Sequence, residues 1–522
     1  MKILMICTEK LPVPPVRGGA IQTYISGSLP HLSKLHNITV LGISDASLPE
    51  HETIEGIQYV RIPGQIFDLY REGVVNYVKT HSFDLIHIFN RPRMVLAVRQ
   101  AAPETKITLS MHNDMFNPDK IDPQEARRVI EDVSGIVTVS DYVGGVIRDL
   151  YPFSAPKLRT IYSGVDIERF LPGKHAAMQK IRNDIRREHG LENKTVILFA
   201  GRLSHNKGVD RLIRALPALS SKHKDLALII MGSKWFSQND VTDYVAYVRA
   251  LAKKLPIPVV STGFISPSEI HKYFAAADLF VCTSLWQEPL ARVHYEAMSA
   301  GLPIVTTARG GNPEVILPGE NGLVVQNPED PYEFTEAISK ILTNKNLMEK
   351  MGERGRELAV SNYPWKRVGT EILEVWEHAK YSPVKPIQSD EPILSVSTEN
   401  TPEVKQNDAL APGESAPRNK SSKVELRKQL LSLMNKSPGF PSLLGTKPSQ
   451  NFSNSKLEGF EHKHPLNQQT IPSSTSFSNG IKTNSIHTNN NRKEVLRAEL
   501  KKILMKNWSK DVDSKTFFND HL

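Results

Sequence analysis

Between Met1 and about Lys380, short runs rich in β-branched and large apolar residues alternate with stretches of helical periodicity, and the alternation occurs twice. The first set is KILMIC (2–7), ITVLGIS (38–44), FDLIHIF (83–89), KITLSMH (106–112) and GIVTVS (135–140). Strand, helix, strand at this rhythm specifies a parallel sheet covered by helices on both faces. After LRTIYSGVDIERFLPG (158–173) the rhythm restarts with TVILFAG (195–201), LALIIMGS (226–233), VVSTG (259–263), LFVCTS (279–284), PIVTT (303–307) and GLVV (322–325). The expected fold is therefore α/β, two tandem doubly wound Rossmann-like domains. The first spans residues 1–172 and the second 173–366, with SGVD (163–166) as a hinge. The last helical stretch, RVGTEILEVWEHAK (367–380), is expected to complete the first domain.

Beyond Tyr381 the chain changes character. Ser and Asn supply 34 of the last 142 residues and apolar periodicity mostly stops, which is the composition of a disordered tail. Two segments interrupt it, LRKQLLSLMNK (426–436) and LRAELKKILMK (496–506), each with one apolar helical stripe. They predict short amphipathic helices near 424–436 and 493–507, either solvated or docked on a partner.

Charge and cysteine usage exclude several classes. Of 65 Lys and Arg and 56 Asp and Glu, residues 381–522 carry 20 and 14, so the body is nearly balanced. A nucleic-acid protein concentrates its cations on a folded face with interleaved aromatics, and that pattern is missing. The two cysteines, Cys7 and Cys282, each sit in an apolar run and read as buried thiols rather than a disulfide framework. No apolar run reaches the ~18 residues of a membrane span. The start, MKILMICTEK, reads as a first strand rather than an export signal, so synthesis in the cytoplasm is expected.

Two segments carry chemistry. GRLSHNKG (201–208) lies between the strand TVILFA and the helical stretch VDRLIRALPAL, where α/β folds hold phosphates. Arg202 adds a fork-shaped cation and Lys207 a point charge. SLWQEPLARVHYEAMSAGLPIV (284–305) follows another strand, with Pro289 suited to a first helical position and Leu290 to Ala300 forming the helix. The amides of Leu290, Ala291 and Arg292 would then point outward unpaired, as a second anion site. Glu288 and Glu296 would lie roughly 12 Å apart along the axis. That exceeds the ~5–9.5 Å between paired glycosidase carboxylates and suits hydroxyls at two parts of one long ligand, such as a sugar and a ribose.

These residues resemble a known family. GRLSHNKG, EPLARVHYE, the glycine pair of PVRGGAIQTYI, FDLIHIFNRP, YSGVD and ARGGNPEVI are, in order and spacing, similar to the family 4 glycosyltransferases, retaining enzymes of the two-Rossmann GT-B fold. The runs TEKLPVPPVRGGAIQ, GSKWF and WQEPLARVHYEAM are most like its members from the spore coat of endospore-forming bacilli. The resemblance covers residues 1 to about 380 and implies a nucleotide-sugar donor. Arg202 and Lys207 would bind its diphosphate, Glu296 its ribose, and Glu288 the transferred sugar. Gly18 and Gly19 would match the glycine loop that lets backbone approach phosphate or acceptor, and His112 a histidine near the donor sugar. The family commonly has Gly and Leu where Ala291 and Arg292 stand.

The resemblance further implies front-face substitution, in which the leaving diphosphate helps deprotonate the acceptor. No cofactor or metal is expected: the nucleotide sugar is a co-substrate, and the one D-x-D triplet, DVD (511–513), lies in the tail. The acceptor would be a glycan, protein or lipid, and the tail would engage spore coat proteins. The rival expectation is a coat or scaffold protein that kept the fold. An epimerase or phosphorylase on the same fold is a third, disfavoured by the first-domain glycine loop.

Overall fold

The computed structural model describes residues 1–234 and 241–384. The amphipathic segments near 424–436 and 493–507, and the Trp-Phe pair of GSKWF, lie outside the described residues.

Two open sheets organise the chain. The first contains β1 (Lys2–Ile6), β2 (Asn37–Ile43), β3 (His51–Ile54), β4 (Ile57–Ile62), β5 (Leu85–Phe89), β6 (Lys106–Met111), β7 (Gly135–Thr138) and β8 (Leu158–Thr160). Its order is β3-β4-β2-β1-β5-β6-β7-β8, parallel except where β3 meets β4. The second contains β9 (Thr195–Ala200), β10 (Leu226–Met231), β11 (Val259–Gly263), β12 (Leu279–Val281), β13 (Ile304–Thr307) and β14 (Gly322–Val325), in the order β11-β10-β9-β12-β13-β14. Every pair in it is parallel. These are the two Rossmann-like units of a GT-B fold.

Strand order decides where ligands bind. In each sheet the order reverses at one place, between β1 and β5 and between β9 and β12. At such a reversal the connections leave in opposite directions and open a crevice beyond the carboxyl ends of the strands. GRLSHNKG follows β9 and the segment to Glu288 follows β12, so both chemical motifs meet at the second crevice.

Both sheets are apolar on both faces. Leu4, Ile6, Ile86 and Ile88 fill one face of the first sheet, and Ile3, Met5, Leu85 and Phe89 the other, beneath Ile372 and Trp376. The helix Trp365–Tyr381 thus returns from the second sheet to the first. Trp376 is fully buried and its indole N–H donates to His87 Nδ1 at 2.8 Å. Cys7 and Cys282 are both buried free thiols, and burial pushes Cys7 up to about 12. No helix among the described residues is long and apolar enough to cross a membrane.

The β3–β4 hairpin is an element the apolar-run reading does not contain. β3 is a mostly exposed edge strand with no apolar run to announce it.

Candidate active site

The loop after β9 is shaped by what it must approach. Gly208 has φ +59°, and a Cβ there would lie 2.5 Å from the carbonyl oxygen of Thr283, so backbone conformation and crowding both require glycine. Two bonds stitch this loop to the loop after β12: the Thr283 hydroxyl donates to Lys207 O at 2.6 Å, and Leu285 N donates to Asn206 O at 2.8 Å. The stitching brings Lys207 Nζ to 2.6 Å from Glu288 Oε2. The same oxygen accepts from Ser284 Oγ at 2.9 Å and Trp286 Nε1 at 2.7 Å.

Glu288 is only 7% exposed. Burial pushes its carboxyl up, but the Lys207 charge and the three donors outweigh burial and hold it below the usual carboxylate range. Arg202 lies beside the pair. Its guanidinium is lowered by burial, and the charge of Glu288 partly offsets this. The GGN turn clamps the backbone of Glu288 from the other side. Gly311 N donates to Glu288 O at 2.8 Å, and a Cβ on Gly310 would stand 2.0 Å from that oxygen.

The helix carrying Glu296 differs from expectation. It runs Val293–Ser299, seven residues, rather than from Leu290, and Pro289 does not start it. The expected trio of outward amides at Leu290, Ala291 and Arg292 is also not formed, because Ala291 N donates to Asn312 Oδ1 at 3.1 Å. The cause is tertiary. Asn312, on the GGN turn, satisfies the amide, and His294 Nδ1 sits 2.8 Å from Ala291 O, which tightens the segment before the helix. The loop after β9, by contrast, leads directly into a full-length helix, Val209–Lys222.

Glu296 is buried, and its Oε1 accepts from Arg292 Nη2 at 3.2 Å. His112 follows β6. Its backbone N donates to Asn90 Oδ1 at 3.0 Å, and its ring meets Tyr24 edge-on at 4.9 Å. Burial and then the Arg292 charge depress the imidazole to about 3, so it is neutral at neutral pH, and its Nε2 is buried without a hydrogen-bond partner. Gly18 and Gly19, at φ +83° and +108°, lead into the helix Ala20–Leu32, and a Cβ on Gly19 would meet Gln22 Oε1 at 2.2 Å. The structure thus joins Lys207 to Glu288 and Arg292 to Glu296, and sets Arg202 and His112 within electrostatic reach of these pairs. No hydrogen bond among the described residues links Gly18 or Gly19 to them.

Several residues of the site went unread in the sequence. Ser284 and Trp286 flank Glu288 as its donors, and Asn312 takes an amide. Glu314, four residues beyond Gly310, accepts from Asp141 N at 2.8 Å and Tyr142 N at 2.7 Å, at the start of the helix Asp141–Leu150. Glu314 and Asn312 lie inside ARGGNPEVI, but their spacing gives no hint of what they reach.

Comparison with known proteins agrees with this architecture. Residues 21–169 match the model of Glycosyltransferase Family 4, and residues 181–358 that of Glycosyl transferases group 1. The chain is 43% identical over 377 residues to "Spore coat protein SA" of Bacillus subtilis (strain 168), covering 72% of this chain and 99% of that protein. It is 42% identical to "Putative glycosyltransferase YtcC" of the same organism, covering 72% and 92%. Among solved structures, Anabaena Alr3699/HepE in complex with UDP-glucose superposes with a TM-score of 0.59 at 21% identity, over 72% of this chain and 99% of that one. Sucrose-phosphate synthase from Thermosynechococcus elongatus gives 0.58 at 19% identity, over 72% and 98%. With two Rossmann-like sheets and family matches in both halves, the chain belongs to glycosyltransferase family 4, the retaining-type enzymes that transfer a sugar from a nucleotide-sugar donor.

Proposed function

We propose that the donor lies across the carboxyl ends of β9 and β12, with its diphosphate on Arg202 and Lys207, its ribose on Glu296 and the transferred sugar at Glu288. The observation that carries this reading is the Lys207–Glu288 pair, held at 2.6 Å at the strand-order reversal beside the start of a fourteen-residue helix. A cation and a carboxylate at the mouth of such a crevice match the two ends of a sugar diphosphate: the cation the anionic link, the carboxylate the sugar hydroxyls. His112, neutral and with a buried Nε2 that has no hydrogen-bond partner, is set near the donor sugar, and Gly18 and Gly19 let the backbone of the first domain approach phosphate or acceptor.

In this reading the leaving diphosphate accumulates charge as the glycosidic bond breaks, and Arg202, Lys207 and the helix start stabilise it. One of its oxygens takes the acceptor proton on the same face, which retains the anomeric configuration. Side-chain cations perform the neutralisation, and no metal is required. The domain limits 1–172 and 173–366, with 367–380 completing the first, are part of this proposal, as are cytoplasmic synthesis, assembly into a spore coat and coat partners for the tail. The name of the spore coat relative, which aligns over 377 residues, supports only the coat assembly, and the acceptor is a glycan, protein or lipid.

The test is turnover of UDP-, GDP- and ADP-sugars by the full chain in excess EDTA, with the anomer of the released sugar read by NMR. One donor class is expected to be consumed with retention. Inversion, or no turnover of any donor, overturns the reading, and activity restored only by Mg²⁺ or Mn²⁺ overturns its metal-independent part.

A further inference from the structure

Arg292 joins three parts of the molecule with one side chain. Its Nη2 donates to Glu296 Oε1 at 3.2 Å, while Nη1 donates to Ser163 Oγ at 2.9 Å and Gly164 O at 3.1 Å. Ser163 and Gly164 belong to the segment that leads from the first sheet to the second. The guanidinium also lies 5.3 Å over the ring of Trp365, the first residue of the returning helix. A Cβ on Gly164 would come within 2.5 Å of that same ring, so the connecting segment, the aromatic ring and the guanidinium are in close contact.

We propose that Arg292 is a positioning residue for donor binding, orienting the Glu296 carboxylate toward the nucleotide ribose and tying that orientation to the segment joining the two domains. The side chains of Arg292 and Glu296 are 13% and 8% exposed. At such burial an unpaired carboxylate is strongly disfavoured, so loss of the guanidinium drives Glu296 to rotate away. That rotation removes an acceptor for the ribose hydroxyls. Pairing through Oε1 restricts the carboxylate, and Oε2 has no hydrogen bond among the described residues, which leaves it to accept from the ligand. The planar guanidinium meets the carboxylate through one nitrogen and the connecting segment through the other, which an ammonium cannot reproduce. Arg292 touches neither diphosphate nor sugar in this arrangement and acts through Glu296.

The inference rests on the ribose assignment of Glu296 above, and the experiment separates the two. The full chain is titrated calorimetrically with whichever of UDP, GDP and ADP it binds, and with the 2′,3′-dideoxy counterpart. Wild type is expected to prefer the ribose form by about tenfold. Arg292→Leu, which keeps apolar contact with Trp365, is expected to lose most of that preference while binding the dideoxy form as before, so dideoxy affinity also reports folding. Arg292→Lys is expected to retain part of it, and Arg292→Leu combined with Glu296→Gln to be no worse than either alone. Should Arg292→Leu fail to fold, Arg292→Gln is read in the same way. A wild type without ribose preference defeats the Glu296 assignment and this proposal with it. A preference that survives Arg292→Leu, an equal loss for both nucleotides, or additive losses in the double variant defeats the proposal alone.

Discussion

Lys207 and Glu288 neutralise each other in a buried setting, so a diphosphate must compete with a carboxylate for the lysine. This sets apart the two glutamates. Glu288→Gln releases the Lys207 charge and is expected to leave nucleoside diphosphate affinity unchanged or higher while slowing transfer. Glu296→Gln is expected to weaken nucleoside diphosphate binding by about tenfold, one hydrogen-bonded group's worth of ~1.5 kcal/mol. Calorimetry and transfer rates on the two variants check this, and identical defects in both would refute the division. The residues with charge at a strand end, Arg202, Lys207 and Glu288, were legible because strand, glycine turn and helix leave few places for them to be. Asn312 and Glu314 were not. Each is decided by a contact between segments distant in sequence, and neither apolar periodicity nor local spacing encodes such a distance.

The elements show the same division. Most strands named from apolar runs formed because they are buried on both faces, and a continuous apolar run has few other places to go, while the edge strand β11 is only partly covered. The β3–β4 hairpin escaped because its signal is a turn: Glu55 and Gly56, at φ +52° and +78°, give the left-handed pair that a two-residue hairpin loop demands. The returning helix is locked by a polar contact inside the core. Because His87 Nδ1 accepts from Trp376, the ring proton sits on Nε2, which lies 2.6 Å from Ser110 Oγ, and the imidazole is neutral. Burial, and then the neighbouring His112, depress His87 to about 3, as burial and Arg292 depress His112. Both rings exclude a proton that the unfolded chain takes up near pH 6.5. Their stabilisation is therefore complete above that pH and is lost as pH falls toward 3. At pH 5 the loss is about 2 kcal/mol per group. Urea unfolding at pH 7.5 and 5.0 is expected to show it, and His87→Gln, less stable at pH 7.5, is expected to lose less on acidification. An equal pH dependence in the variant would contradict this.

At the scale of the whole molecule, a carboxylate from the second sheet's side holds the first. Glu314 accepts two amides at the start of the helix Asp141–Leu150, a favourable place for negative charge, and Tyr162 adds a hydroxyl donor at 3.0 Å. Through the GGN turn the same loop grips the backbone of Glu288, so approach of the two sides and shape of the sugar pocket are linked. Glu314→Ala is expected to open the cleft, seen as a larger radius of gyration by small-angle scattering, and to lower transfer several-fold while a nucleoside diphosphate still binds. An unchanged radius together with unchanged transfer would refute the linkage. The central claim is that Arg202 and Lys207 form the diphosphate site. Calorimetric titration of the full chain and of Arg202→Ala and Lys207→Ala with UDP, GDP and ADP tests it most directly. Each variant is expected to lose about tenfold or more in affinity for the nucleotide that wild type binds, because each deletes a charge-assisted contact worth ~1.5–3 kcal/mol. Undiminished affinity in both variants, or no binding of any of the three by wild type, would contradict it.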